Sequence, residues 1–316
     1  MVVTRIDKHQ LKIGMFVEAM EGAWQDNPTL GRRFTIKDGQ QLAIIQGSKV
    51  SGVFINTALG NCNIGTGAPI PCKSIKTATR QDKMQMAGKI SGQADEAKTL
   101  IQSVFEGRDL TVEAFTPLAA DIGRTMEENP SLFIGMSRLR SCDTATFVHS
   151  LAVAALLMHF ARSMEMDDAT LQLLCMAALL HDLGKLAIPK QILHKQGPLT
   201  PEERALVEQH PEIGYRQLQE HPATPQLVLD ICRSHHERLD GKGYPERLSA
   251  ADIGTEVRMC TICDVFDALT SARSYKKGWS SQQALSWMMA REDQFDKALL
   301  WRFVLSLDPE MTKGII

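Results

Sequence analysis

The sequence predicts an α+β chain, with a small mixed α/β N-terminal domain followed by an all-α domain. Three observations predict it. A length of 316 residues is about twice the roughly 150 residues of one ordinary domain. The first sixty residues mix strand-like runs with one short helical stretch. From about Gln81 onward, apolar residues recur three or four apart, the period of a helix face. Hydrophobic residues make up 44% and charged residues 23% of the chain, which excludes disordered and fibrous proteins.

Taken in order, Ile13 to Met20 and Val50 to Asn56 read as strands, and Asp38 to Gln46 as a short helix between them. Asn61 to Thr79 then carries Gly65, Gly67, Pro69 and Pro71 among Asn and Thr, which is linker chemistry. The expected divisions are residues 1–75, a small accessory or regulatory domain; 76–135, a helical connector; and 136–316, the main helical domain. Gln81 to Asp109 could pair two copies into a homodimer, but a helix packed on its own domain is the simpler reading. Leu171 to Leu180 is an aliphatic helix, with Gly184 as its expected stop after His181-Asp182. Thr200-Pro201-Glu202-Glu203 is a capping box with Pro in the first helical position. That helix should end near Gln209, because Pro211 disfavours helical geometry at His210. Gly241-Lys242-Gly243-Tyr244-Pro245 cannot be helix interior, so a tight loop should follow the helix that carries His235 and His236.

Charge and targeting signals narrow the class further. Lys and Arg number 35 against 37 Asp and Glu, a net charge of -2. No global basic field draws the chain to a nucleic acid polymer or an anionic membrane. The opening MVVTRIDKHQ lacks the apolar stretch of a signal peptide. The longest apolar stretch, Leu151 to Phe160, is interrupted by His159 and too short for a membrane span. Seven Cys, an odd number, read as reduced thiols. These signals predict a soluble, cytoplasmic protein. Cys260 and Cys263 have CxxC spacing without a second pair and read as core thiols. His159 and His221 match no motif and read as surface or packing residues.

Five of the nine His form a notable set: His149, His181, His210, His235 and His236. His181-Asp182 ends an aliphatic helix, and Asp264 lies inside Met259-Cys-Thr-Ile-Cys-Asp-Val-Phe266. An unpaired buried carboxylate or imidazole costs several kcal/mol, so such residues have a partner or a metal. Neighbours on a helix diverge by about 100°, so each adjacent pair can flank one site. Each residue also has a plainer account. His149 could be a hydrogen-bonded core histidine, Asp182 could pair with Lys185, and Asp264 with Arg258. Spacing alone leaves both readings open.

The motifs point further. His181-Asp-Leu-Gly-Lys185 resembles the HDxGK core of the HD phosphohydrolases. His235-His-Glu-Arg-Leu-Asp-Gly-Lys-Gly-Tyr-Pro245 resembles the HHExxDGxGYP motif of the HD-GYP subgroup without a mismatch. His210-Pro-Glu-Ile-Gly214 is similar to its HPxxG element, and Asp264 to Arg273 to its closing DxFDALTSxR segment. The resemblance covers about residues 140 to 290. Leu11 to Val17 resembles part of a small α/β domain that precedes HD-GYP domains in a subset of bacterial proteins.

The resemblance implies a phosphodiesterase for cyclic di-GMP that uses two divalent ions, iron or manganese first among them. His149, His181, Asp182 and Asp264 would hold one ion. Asp182 would bridge to a second, bound by His210, His235 and His236. Imidazole-rich ligation suits iron, manganese or zinc better than magnesium. Two dications against two carboxylates leave the centre positive, suited to a phosphodiester anion. Lys185 would neutralise a phosphate oxygen or assist the leaving group. Arg273 and Lys276 are candidates for the second phosphate or a guanine edge, with solvated surface charge as the alternative. Tyr244 could stack on a base or pack on the helix end. The Gly-Tyr-Pro loop is linked in the family to docking of partners, diguanylate cyclases included. Family members with a third metal carry Glu where this chain has Ala145, so two ions are expected. Arg273-Ser274-Tyr275 replaces the more frequent Arg-Pro-Tyr. Two other readings are a non-catalytic cyclic-dinucleotide receptor and a phosphohydrolase for another nucleotide.

Overall fold

The computed structural model describes residues 3–21, 34–48, 52–56, 78–108, 110–138, 145–272, 278–308, 311–312 and 315. Almost all of the expected linker at Asn61 to Thr79 lies outside these, as do Arg273 and Lys276. The chain forms two compact units. One is Met1–Thr77 with Lys297–Leu305, and the other is Ala78–Asp296 with Ser306–Ile315.

In the first unit, β1 (Val3–Ile6), β2 (Phe16–Glu21), β3 (Phe34–Thr35) and β4 (Gly52–Asn56) form an antiparallel sheet in the order β1-β4-β2-β3. The helix α1 (Gly39–Gly47) lies between β3 and β4 in sequence, and the Asp38 carboxylate caps it by accepting the Gln41 N–H at 2.8 Å. Val17, Ile36, Ile45, Val53 and Ile55 are buried together. The two expected strands and the helix are therefore present. β2 begins at Phe16 rather than Ile13, because a turn at Ile13-Gly14 delays it. β1 and β3 were not anticipated.

The second unit is helical. Its elements are α2 (Arg80–Phe105), α3 (Val112–Glu128), α4 (Pro130–Ser137), α5 (Ala145–Ser163), α6 (Asp168–Leu180), a 3-10 turn at Leu183–Ala187, α7 (Lys190–Leu193), α8 (Pro201–Val207), α9 (His210–Gln219), α10 (Gln226–Ser234), α11 (Thr255–Thr270) and α12 (Ser281–Met289). A last helix, α13 (Lys297–Ser306), is counted mostly with the first unit. α5 and α6 are the buried axis. Leu151, Val153, Leu157 and Phe160 of α5, and Leu174, Cys175 and Leu179 of α6, have no exposed surface. Burying each Leu or Phe contributes about 1.5–3 kcal/mol. α3 and α10 pack on α6, α11 packs on α5, and α9 packs on the 3-10 turn. α2 packs on α3, α4 and α5, the simpler of the two readings of that segment. No helix among the described residues is long and apolar enough to cross a membrane.

Two local expectations need correction. Gly184 does not stop α6, which gives way at His181; it lies inside the 3-10 turn. A Cβ there would stand 2.0 Å from the His210 carbonyl oxygen, so glycine lets the turn touch the start of α9. Nor does Pro211 keep His210 out of a helix. α8 ends at Val207, and His210 opens α9 with Pro211 beside it in the first turn. Proline costs nothing there, since first-turn N–H groups have no intrahelical partner.

Candidate metal centre

Five segments of the helical unit converge. α5 supplies His149 from its first turns, and the end of α6 supplies His181 and Asp182. The first residue of α9 is His210. His235 and His236 follow directly on α10, and Asp264 lies midway along α11. The donor atoms fall into two groups, His149, His181 and Asp264 in one, and Asp182, His210, His235 and His236 in the other. Within each group the atoms lie within 4.8 Å of one another. All seven expected ligands thus meet in one place.

Asp182 stands between the groups. Its Oδ2 is 3.3 Å from His181 Nε2 and 3.8 Å from His149 Nε2. Its Oδ1 is 3.2 Å from His210 Nε2 and 3.7 Å from His235 Nε2. One oxygen faces each set of rings, the arrangement of a bridging carboxylate. Asp264 Oδ1 lies 3.0 Å from His149 Nε2, and its Oδ2 lies 3.9 Å from His236 Nδ1.

The rings are aimed by their far nitrogens. His181 Nδ1 donates to the Ala178 carbonyl at 2.6 Å, His210 Nδ1 to Val207 at 2.7 Å, and His235 Nδ1 to Cys232 at 3.0 Å. A carbonyl only accepts, so Nδ1 carries a hydrogen in each ring and Nε2 is the atom turned toward the centre. His210 Nε2 and His235 Nε2 face each other at 3.3 Å. His181 Nε2 and Asp182 Oδ1 are buried without a hydrogen-bond partner. Such a set is unfavourable by itself and fits a cation.

The electrostatics differ from ring to ring. Burial depresses His235 to about 4 and pushes His236 well below the usual imidazole value, which keeps both neutral and able to ligate. At His149 burial opposes the charge, but the Asp264 and Asp267 carboxylates outweigh it and raise the ring to about 9. Burial would raise Asp182 and Asp264, yet His181 and Lys185 hold the first, and His149 the second, well below the carboxylate range.

Lys185 Nζ donates to Asp182 Oδ2 at 2.6 Å, so the plainer pairing for Asp182 exists inside the cluster. The plainer partner for Asp264 does not: Arg258 bonds Asp296 instead, at 3.0 Å. Tyr244 lies half-buried against His236, the ring centres 4.7 Å apart and the planes tilted by 34°. Burial pushes its phenol up. Cys260 and Cys263 are buried in α11. His159 is held by the Ser306 carbonyl at 2.8 Å, and neither it nor His221 belongs to the cluster. The proposed phosphate ligands Arg273 and Lys276 fall outside the described residues.

Two further residues carry roles that the motifs did not reveal. Asp267 Oδ2 accepts from His149 Nδ1 at 2.6 Å. Glu237, 2% exposed, accepts the N–H groups of Glu246, Arg247 and Leu248 at 2.7, 2.9 and 3.0 Å. It thereby fastens the loop that holds Tyr244 and the cis Tyr244-Pro245 bond. Gly243 lets that loop close, since a Cβ there would meet Glu237 Cα at 2.5 Å.

Comparison with known proteins places this geometry in a family. The HD domain model matches residues 122–299, more than half of the chain, and a domain of unknown function (DUF3391) matches residues 3–115. A cyclic di-GMP phosphodiesterase of Pseudomonas aeruginosa is 34% identical over 316 aligned residues, 96% of this chain and 76% of that protein. A 3'3'-cGAMP-specific phosphodiesterase of Vibrio cholerae is 35% identical over 176 residues, 55% of this chain and 33% of that one. Among solved structures, an HD-GYP-related protein of Bdellovibrio bacteriovorus superposes with a TM-score of 0.56 at 18% identity, covering 96% of this chain and 98% of its own; it supports the fold alone. With the motif from His235 to Pro245 intact, the chain belongs to the HD-domain family and bears the HD-GYP signature.

Proposed function

We propose that this protein is a metal-dependent phosphodiesterase that hydrolyses cyclic di-GMP to pGpG and/or GMP in the bacterial cytoplasm. The observation that carries the reading is Asp182, with one oxygen toward each of two histidine groups. His149, His181, Asp182 and Asp264 would hold one divalent ion, and Asp182, His210, His235 and His236 the other, with iron or manganese preferred. Bound there, the ions would activate water and stabilise the charge that develops on the phosphate. Ala145 has no donor atom, so two ions are proposed rather than three.

The chain's own groups do the rest. Lys185, half-buried beside Asp182, would offset charge on a phosphate oxygen or on the leaving group. Asp182 and Lys185 are therefore the proposed catalytic residues. Arg273 and Lys276, just beyond α11, would meet the second phosphate or a guanine edge. Tyr244, its ring tilted against His236, would stack on a base. The Gly-Tyr-Pro loop is the proposed docking element for protein partners such as diguanylate cyclases, and the N-terminal unit the regulatory one.

The test is anaerobic turnover with iron- or manganese-loaded protein, products separated by chromatography. The substrates are cyclic di-GMP and 3'3'-cGAMP, which a relative's name makes the natural competitor. Release of pGpG or GMP, abolished in Asp182→Ala, is the expected result. Tight binding of cyclic di-GMP without turnover under either metal would overturn the enzyme reading in favour of a receptor.

A further inference from the structure

The two halves of the centre are not built alike. His181, His210 and His235 all spend Nδ1 on backbone carbonyls. His149 alone among these spends it on a carboxylate, Asp267, at 2.6 Å. Asp267 is 2% exposed. It lies three residues beyond Asp264, on the same face of α11, and its second oxygen accepts the Ser271 hydroxyl at 3.2 Å. The half containing His149 is thus surrounded by Asp182, Asp264 and Asp267. In the half containing His210, His235 and His236, Asp182 is the carboxylate within the ligand group, and Asp264 stands off at 3.9 Å from His236.

A ring that coordinates a dication through Nε2 becomes more acidic at Nδ1. A carboxylate there stabilises the charge that spreads onto the ring, whereas a carbonyl offers only a dipole. We infer that the two metal positions are unequal, that the His149 half fills first and holds its ion more tightly, and that Asp267 is the positioning residue responsible. This rests on the two-metal reading above.

The experiment is titration of the chelator-stripped full chain with manganese(II), followed by calorimetry and by electron paramagnetic resonance. Two separated steps are expected. Asp267→Asn keeps the size of the side chain and an oxygen for His149, and removes the charge. It should weaken the tighter step by about 10–100-fold and leave the weaker one unchanged, a split that general loosening of the fold would not produce. His149→Gln should delete the tighter step and His236→Gln the weaker, which fixes the order even if the Asp267 variant fails to fold. Two bound ions with an unchanged tighter step in Asp267→Asn, or loss of the weaker step in His149→Gln, would overturn this inference alone. No manganese bound by the parent chain would overturn the metal-centre reading and this inference with it.

Discussion

Gly184 shows how closely the residues of this centre constrain one another. A methyl group there would meet the backbone of α9 at two points, the His210 oxygen at 2.0 Å and the Gly214 nitrogen at 2.7 Å. Neither can move without shifting α9, and His210 with it. Gly184→Ala should therefore destabilise the protein by roughly 3 kcal/mol, seen as a lowered urea midpoint; a loss below about 1 kcal/mol would show that α9 can give way. The seven donors were legible because their side chains carry the chemistry and stand in a recognisable order. Asp267 stood in the same motif, yet its task was not. Spacing shows that Asp264 and Asp267 share a helix face, but not which oxygen meets which nitrogen. Glu237 was hidden for a related reason: its partners are main-chain N–H groups, which every sequence contains.

At the scale of elements, one side chain, Glu237, gathers three main-chain amides of the 235–249 segment. Glu237→Ala would leave the three amides of Glu246, Arg247 and Leu248 without their acceptor. The expected cost is about 2 kcal/mol, with faster hydrogen exchange at those amides and none at the interior of α3. Unchanged exchange would mean that other contacts suffice to hold the loop. Helix existence was legible from periodicity, and helix ends were less so. α6 stops at His181 because the chain turns to bring Gly184 against α9, a tertiary contact that no local signal announces. Pro211 was misread since a proline that ends one helix also suits the first turn of another. β1 and β3, of four and two residues, are too short to show alternation, and their place comes from pairing with β4 and β2.

For the whole molecule, the α+β class followed from texture alone, helical periodicity after a strand-bearing start. The grouping of α13, near the C-terminus, largely with the N-terminal unit has no counterpart in that texture. Donors drawn from five segments come together only in the folded chain, so an ion held there would bind the native state and stabilise it by mass action. At one hundred times its dissociation constant, an ion adds about 2.7 kcal/mol. Stripping the protein with a chelator should lower its melting temperature by about 5–10 °C per ion, restored by manganese. A melting curve indifferent to chelator and manganese would count against the centre. Asp182 has a further consequence for descent. A carboxylate divided between two halves cannot be lost by degrees, since one mutation impoverishes both. Loss of His149 or His236 spares the opposite side. In a lineage of such chains, gradual decay of the centre would run through its histidines, whereas a branch that begins by replacing Asp182 passes through no half-working ancestor.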